Sequence, residues 1–248
     1  MTGPDLIRNE DCLSGLSRVD SRSVDFVFAD LPYGRTQNDW DKLVPIADLW
    51  RELRRVCKPT TALVFTAIQP FTSLLVCSNL PWFRYEAIWR KSKPSGYLNA
   101  KKQPMRVHEN VLVFYGQQPT YTPQMTHGHE PVHGFTKRVS NDSANYGATN
   151  QAVTGGGETR RYPVSVLEIP SIGNSSPIRI HPTQKPEALP AWFIASYTKP
   201  GDLVLDPTAG SGSTGCAAVR SGRRFLGFET DAEMASLANA ELTKATIL

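Results

Sequence analysis

Long apolar runs are missing from this 248-residue chain. None approaches the roughly 18 residues needed to span a bilayer, so no contact with a membrane is expected. The opening segment, "MTGPDLIRNEDCL", has neither a basic n-region nor an apolar h-region, so no secretion signal is expected. Cysteine is scarce and scattered (Cys12, Cys57, Cys77, Cys216), with no C-x-x-C pair. That argues against a disulfide framework and against a cysteine zinc site, and it fits a reducing cytosol. Net charge is also small, at +4. Periodic apolar patterning is absent from Gly116 to Pro177, where Gly, Pro, Asn, Thr and His dominate. This stretch reads as an insert of loops. His127, His129 and His133 fall within it, but no carboxylate or cysteine stands at a matching spacing, so no metal is expected.

What remains is a soluble-protein composition, 40% hydrophobic and 20% charged, in a length that suits one α/β domain with a large core. "DFVFAD", "ALVFTAI", "YEAIW", "NVLVFYG", "DLVLD" and "RFLGFE" read as strands. They are apolar throughout rather than alternating, so most are expected to be covered on both faces, as in a mainly parallel, doubly wound sheet. "VPIADLWRELRRVC" reads as an amphipathic helix with Ile46, Leu49, Leu53 and Val56 on one face. "KPEALPAWFIASYT" and "DAEMASLANAELTKA" read as two more helices.

Charge is unevenly placed. Between Arg84 and Arg106 stand seven bases and one acid, Glu86. A basic run alone is commonly a solvated face. Here Trp89, Pro94 and Tyr97 are interleaved with it, which favours a surface for a polyanion, most naturally nucleic acid.

Chemistry concentrates at two strand ends. "DLVLDPTAGSGSTGCAAVRSGRRFLGFETD" reads as strand, turn, helix and strand. Gly210, Gly212 and Gly215 satisfy G-x-G-x-x-G, and Glu229 closes the next strand 19 residues after Gly210. The glycines let a ligand approach the backbone, and Glu229 can accept hydrogen bonds from both hydroxyls of a ribose. A dinucleotide would set its pyrophosphate at the helix N-terminus. Asp206 stands against that turn, and a carboxylate there opposes pyrophosphate but suits a cation. S-adenosylmethionine (AdoMet) carries a sulfonium and an ammonium and no phosphate. Asp206 could instead cap the helix, although Thr208 and Ser211 are better placed for that.

The second strand, "VDFVFAD", ends on Asp30, Leu31, Pro32 and Tyr33. In a parallel sheet it should face the same cleft as Asp206. A carboxylate, the Leu31 carbonyl and an aromatic ring beside a methyl donor suit methylation of an exocyclic amine. Hydrogen bonds from the amine to Asp30 and to Leu31 localise its lone pair, and Tyr33 can stack on a base swung out of a duplex. Methylation of cytosine C5 would need a thiolate, usually in a Pro-Cys pair, and no Pro-Cys occurs.

On these residues the chain resembles the β-class of amino-methylating DNA methyltransferases. "DLPY" resembles their catalytic Asp-Pro-Pro-Tyr, with Leu31 in place of the first proline. "DPTAGSGST" resembles their AdoMet loop, "HPTQKP" the segment that walls the methionine part of AdoMet, and "NEDCLSGL" the segment that meets its adenine. The resemblance implies a circularly permuted, seven-stranded Rossmann-like methyltransferase sheet with a loop-rich target-recognition insert. It divides the chain into a catalytic half (1–115), the insert (116–177) and an AdoMet-binding half (178–248). It implies catalytic roles for Asp30, Leu31, Pro32 and Tyr33. It implies cofactor contacts from Asp11, Cys12, Asp30, His181, Thr183 and Lys185, and from Asp206, Thr208, Gly210, Ser211, Gly212, Thr214 and Glu229. Arg90, Lys91, Lys93, Lys101, Lys102 and Arg106 would meet DNA phosphates. His108-Glu109 should begin the strand that follows, with a role in the pocket the weaker reading. The implied activity is methylation of adenine N6 in duplex DNA, in the cytoplasm of a bacterium or phage-infected cell. Members of the family often dimerise. Cytosine N4 is the alternative target, although members of that kind more often carry Ser in place of Asp30. A catalytically silent DNA-binding protein and a nicotinamide-dependent oxidoreductase are readings of other classes, opposed by the intact Asp30 and Tyr33 and by Asp206 respectively.

Overall fold

The computed structural model describes residues 6–34, 43–138, 152–173, 176, 179–181 and 183–247. The elements run β1 (Leu6–Asn9), α1 (Cys12–Leu16), β2 (Val24–Ala29), α2 (Ile46–Val56), β3 (Cys57–Ala67), α3 (Phe71–Ser78), β4 (Phe83–Ser95) and β5 (Arg106–Phe114). They continue with β6 (Phe135–Arg138), β7 (Ala152–Gly155), β8 (Val166–Glu168), α4 (Ala188–Tyr197), β9 (Leu203–Asp206), α5 (Ser213–Arg220), β10 (Arg224–Glu229) and α6 (Ala232–Ile247). A single 3-10 turn, Tyr97–Asn99, lies between β4 and β5.

Two compact units result. The first comprises 1–122 and 165–248, and the second 123–164. In the first, one sheet runs β1-β10-β9-β2-β3-β5-β4-β8. Five of its seven pairings are parallel, and those of β5 with β3 and β4 are antiparallel. The sheet therefore has eight strands where seven were expected. The extra strand, β8, is a three-residue piece that returns from the loop-rich stretch and pairs beside β4, Ile88 to Val166 through Arg90 to Glu168.

Strands without alternation do lie between two helical layers. Phe26 and Phe28 of β2 pack with Leu189, Phe193 and Ile194 of α4 and with Ala217 and Ala218 of α5. Val27 and Ala29 point the other way, into a core with Leu49, Leu53 and Val56 of α2 and Leu75 of α3. The twofold period of a strand sends neighbours to opposite faces, so a strand buried on both must be apolar at every position. The α2 face reads as expected, with Trp50 added to it, its indole N–H donating to Ser78 Oγ at 2.8 Å.

The order of strands also fixes where a ligand binds. β2 and β9 are parallel neighbours, Phe26 against Val204 and Val27 against Leu205. From β9 the chain crosses through α5 to β10 on one side, and from β2 through α2 to β3 on the other. A crevice opens at the carboxyl ends of strands where crossovers diverge in this way. Asp206 and Asp30 stand at those two ends.

In the second unit, β6 and β7 form an antiparallel ribbon, Phe135 against Gly155, and Thr126 bridges Arg161. The Arg161 guanidinium donates to the carbonyls of Glu130 and Glu158. His129 lies 2.7 Å from Thr126 Oγ1. Among the described residues no group of three or more His, Cys, Asp or Glu side chains could hold a metal, and no helix is long and apolar enough to cross a membrane.

Candidate active site at the ends of β2 and β9

Each glycine of the turn after β9 has its own reason. Gly210 takes a left-handed φ of +49°, and a Cβ built there would meet only the Thr208 carbonyl, 4.0 Å away. That leaves open space in front of the backbone. Gly212, the N-cap of α5, has φ +76° and sits so close to Ile7 and Ala238 that a Cβ would lie 3.1 and 3.2 Å from them. At Gly215 a Cβ would approach the Phe225 ring to 2.7 Å, so this position sets how closely α5 lies on β10.

Carboxylates frame the turn. Glu229 Oε2 accepts from the Gly210 N–H at 2.9 Å, and Oε1 accepts from the Asp231 N–H at 2.9 Å. Its first job is therefore to hold the loop, with its remaining lone pairs left for a ligand. Asp206 is buried, 3% exposed. It accepts from the Thr208 N–H at 3.0 Å and from the Thr214 hydroxyl. Burial nevertheless pushes its carboxyl up to about 7, and the nearby charges of Asp30 and Glu229 add to the rise. A buried carboxylate held near neutrality by lack of a counter-charge, behind an open glycine backbone, fits a ligand that brings positive charge and no phosphate. AdoMet is such a ligand. Asp206, Gly210 and Glu229 are placed where they could hold it.

The neighbouring pieces are less uniform. Asp11 caps α1, accepting from the Ser14 N–H at 2.9 Å. The Cys12 thiol lies in the core, where burial and then the Asp11 charge push it up to about 11, so it is no nucleophile. Ser211 pairs with Ser213, whose hydroxyl donates to the Lys185 carbonyl at 2.8 Å and ties Lys185 to the start of α5. His181 Nδ1 lies 3.0 Å from the Thr183 hydroxyl. Burial lowers its imidazole against the pull of Glu229 and Asp30.

Asp30 lies at the centre of a network that sequence reasoning described only in part. Its Oδ1 accepts from the Tyr33 hydroxyl at 2.6 Å and from the Thr66 hydroxyl at 2.5 Å, and its Oδ2 from the Lys185 ammonium at 2.6 Å. The Tyr33 ring rests against Phe71, with centroids 5.3 Å apart. Burial, then the charges of Asp30 and Glu109, raise the Tyr33 phenol well above its ordinary value and keep it a donor. Burial alone would lower the Lys185 ammonium, but Asp30 and Glu109 outweigh it and hold it raised. Glu109 Oε2 lies 3.4 Å from Lys185 without an aligned hydrogen bond, while Oε1 takes Lys91 at 3.2 Å. Charges thus alternate in a chain: Asp30, Lys185, Glu109, Lys91. Lys185 therefore sits on Asp30, and Thr66, Phe71 and Glu109 join the site. Thr66 could have been found by register, since β3 runs beside β2 and ends level with it. Glu109 follows from the antiparallel return of β5, and the expected start at His108 falls two residues inside that strand. The two loops also touch, as the Thr208 hydroxyl donates to the Asp30 carbonyl at 3.1 Å.

A family model described as DNA methylase, of the N6/N4 class, matches residues 24–240. The chain belongs to the N6/N4 DNA methylase family. DNA adenine methyltransferase YhdJ of Escherichia coli (strain K12) is 29% identical over 240 residues, covering 90% of this chain and 77% of the relative. Two solved structures share the fold. The M1.HpyAVI–SAM complex matches with a TM-score of 0.63 at 21% identity, covering 96% of this chain and 99% of that one. The cytosine-N4-specific PvuII DNA methyltransferase matches with a TM-score of 0.65 at 15% identity, covering 99% and 95%. The methylase is AdoMet-dependent, and DNA is its substrate class.

The basic segment of the methylase divides. Lys93, Lys101 and Lys102 are exposed and Arg106 is half-buried. Arg90 pairs with Glu168 at 2.5 Å on the surface. Lys91 is turned inward, onto Glu109, with its side chain 12% exposed.

Proposed function

We propose that this methylase transfers a methyl group to adenine N6 in duplex DNA, within a short specific sequence. One observation carries the reading. Asp30 stands at the end of β2 beside the glycine turn, with three of its roughly four acceptor positions filled. The fourth, on Oδ2, is left for an incoming N–H. An amine that donates there and to the Leu31 carbonyl is held by two acceptors, with its lone pair free to point at the donor. AdoMet, when bound, supplies an electrophilic methyl group on a sulfonium. Asp206 and Glu229 fix that cofactor against the turn. The Tyr33 ring, braced by Phe71, offers a flat face to a base removed from the stack. The Lys185 ammonium donates to Asp30 Oδ2 and fixes how the side chain is turned, with an acceptor position left toward the amine.

The adenine assignment rests on the acid at Asp30 and on the likeness to YhdJ. Cytosine N4 is the second reading, because the PvuII enzyme shares the fold. The compact unit 123–164, within the 116–177 insert, is assigned to target recognition, with 1–115 and 178–248 as the catalytic and cofactor halves. The cytoplasm of a bacterium or phage-infected cell is the proposed setting, in keeping with four unpaired cysteines. The reading also allows a homodimer. Nucleosides from DNA treated with the methylase and AdoMet, resolved by mass spectrometry, test it. N6-methyladenine is expected. N4-methylcytosine alone overturns the base assignment, and no methylated nucleoside overturns the activity.

A further inference from the structure

Beyond Asn110, where β3 ends its pairing with β5, the β4–β5 hairpin continues past β3 for four residues of β5, with β8 backing β4 only as far as Arg90. At about 3.3 Å per residue the overhang is roughly 13 Å. Because β5 runs antiparallel to β3, the overhang leaves the sheet at the edge where β2 ends in Asp30. Its tip is folded. Gly96 turns at φ +89°, and the N–H groups of Asn99, Ala100, Lys102 and Gln103 are all bonded to carbonyls within the turn. At the apex Tyr97 is 81% exposed and Leu98 97% exposed. Single exposed apolar residues are ordinary on protein surfaces. Two adjacent ones, almost bare, on a hydrogen-bonded turn and flanked in sequence by the exposed Lys93, Lys101 and Lys102, make an apolar point within a cationic segment.

We propose that the Tyr97–Leu98 tip is a wedge that enters the base stack of the duplex and fills the gap left by the extruded target base. The inference rests on the DNA methylation reading above and names the element that opens the substrate. Duplex DNA matches the tip in both parts: an apolar stacked interior, and a rim of phosphates for the three lysines. A second copy of the chain matches it poorly, since apposing two tips would bring two lysine-rich segments together. Unstacking costs energy that an inserted apolar side chain returns through contact with the flanking bases. The wedge acts only on a closed duplex, and that sets its signature.

The test compares Tyr97→Ser/Leu98→Ser with the wild type on two substrates. One is a duplex carrying the site found by sequencing methylated DNA. The other is the same duplex with the target base mispaired and so already loosened. The variant is expected to lose at least about tenfold in kcat/KM on the paired duplex, in line with lost stacking contacts. On the mispaired duplex it should stay within about twofold of wild type. A conservative variant, Tyr97→Phe/Leu98→Met, should behave as wild type on both. 2-Aminopurine at the target position should brighten with wild type and not with the serine variant. Equal loss on both duplexes overturns the wedge in favour of a general grip on DNA. No loss on either makes the tip a solvated turn and also overturns it. A drop in sedimenting mass with unchanged 2-aminopurine signal assigns the tip to self-association instead. Wild type inactive on both substrates sinks the methylation reading first and the wedge with it, a result separable from the others.

Discussion

Replacing Asp206 by Asn tests the cofactor site from two sides at once. The carboxyl of Asp206 is raised from 3.8 to about 7, chiefly by burial. A raised acid is neutral in both the folded and the unfolded chain at low pH, and its burial then costs little. As pH rises from about 4 toward 7 the unfolded chain ionises first, so folding loses stability across that window and levels off above it. Three pKa units correspond to an upper bound on the order of 4 kcal/mol. Asn keeps the acceptor for the Thr208 N–H without the charge. The ligand-free Asp206→Asn protein should therefore melt several degrees higher than wild type at pH 8, and close to it at pH 4. Binding should move the other way. A cationic ligand wants the ionised acid, of which about one part in eleven is present at pH 6 if the pKa is 7. Wild-type AdoMet affinity should therefore tighten about tenfold from pH 6 to pH 8, with nearly one proton released at pH 6 and almost none at pH 8. In Asp206→Asn the slope should vanish, apart from any share of His181, and affinity at pH 8 should fall a hundredfold or more, about 3 kcal/mol. Calorimetry in buffers of different ionisation enthalpy reads both affinity and proton count. A variant that binds as tightly as wild type, or a wild type whose affinity is flat in pH, refutes the placement of the cofactor's positive charge at Asp206.

Four further outcomes are expected. Asp30→Ala should abolish methyl transfer while AdoMet still binds, and loss of cofactor binding in a folded variant would put Asp30 in the wrong role. Tyr33→Phe should be milder than Tyr33→Ala. It removes one bond to Asp30 but keeps the ring on Phe71, at about 1.5–3 kcal/mol for a charged partner; equal damage in a methylation assay would mean the ring does nothing. Glu229→Ala should weaken AdoMet binding, because it loses the ribose acceptor and also frees the Gly210 N–H; an unchanged dissociation constant leaves Glu229 a strand end. Lys101→Ala with Lys102→Ala should weaken binding to all duplexes alike and lower the log–log salt slope by about 0.9 per lost phosphate contact. A changed sequence preference at constant slope would make them base readers.

How much of this was legible depended on range. β2, β9, β10 and the helix after the glycine turn were readable because each signal is local: an apolar run, a G-x-G-x-x-G, an acid at a strand end. α3 was missed because "FTSLLVCS" is apolar on its exposed side as well as its buried one, with Leu74 48% exposed, so its composition shows no periodic face. β1 and β8 are four and three residues long, too short for a pattern. At the site, the sequence named both Asp30 and Lys185 as cofactor contacts but did not pair them with each other. Their ion pair joins residues 155 positions apart, and nothing local records it. Lys91 looked like one more member of a basic run. Only the pairing of β4 with β5, Trp89 against Glu109, turns it toward an acid. Stacking explained Tyr33 without its hydroxyl, because the bond to Asp30 needs the turn at Pro32 to bring the two side chains together.

The place of β1 in the sheet carries a consequence for how the chain is made. Among the described residues β1 pairs only with β10, Leu6 against Leu226 and Asn9 against Glu229, a separation of about 220 residues. At about 5–20 residues per second of synthesis, β1 waits roughly ten to forty seconds for its partner to be translated. Meanwhile β2 and β3 can pair, but the other edge of β2, later covered by β9, stays bare and open to association with other chains. The sheet closes only when the glycine turn and its flanking strands arrive. Contacts this distant in sequence fold slowly, so a nascent chain halted before β9 should be rich in β-structure, sensitive to protease at Leu6–Asn9, and a client for chaperones that shield strand edges.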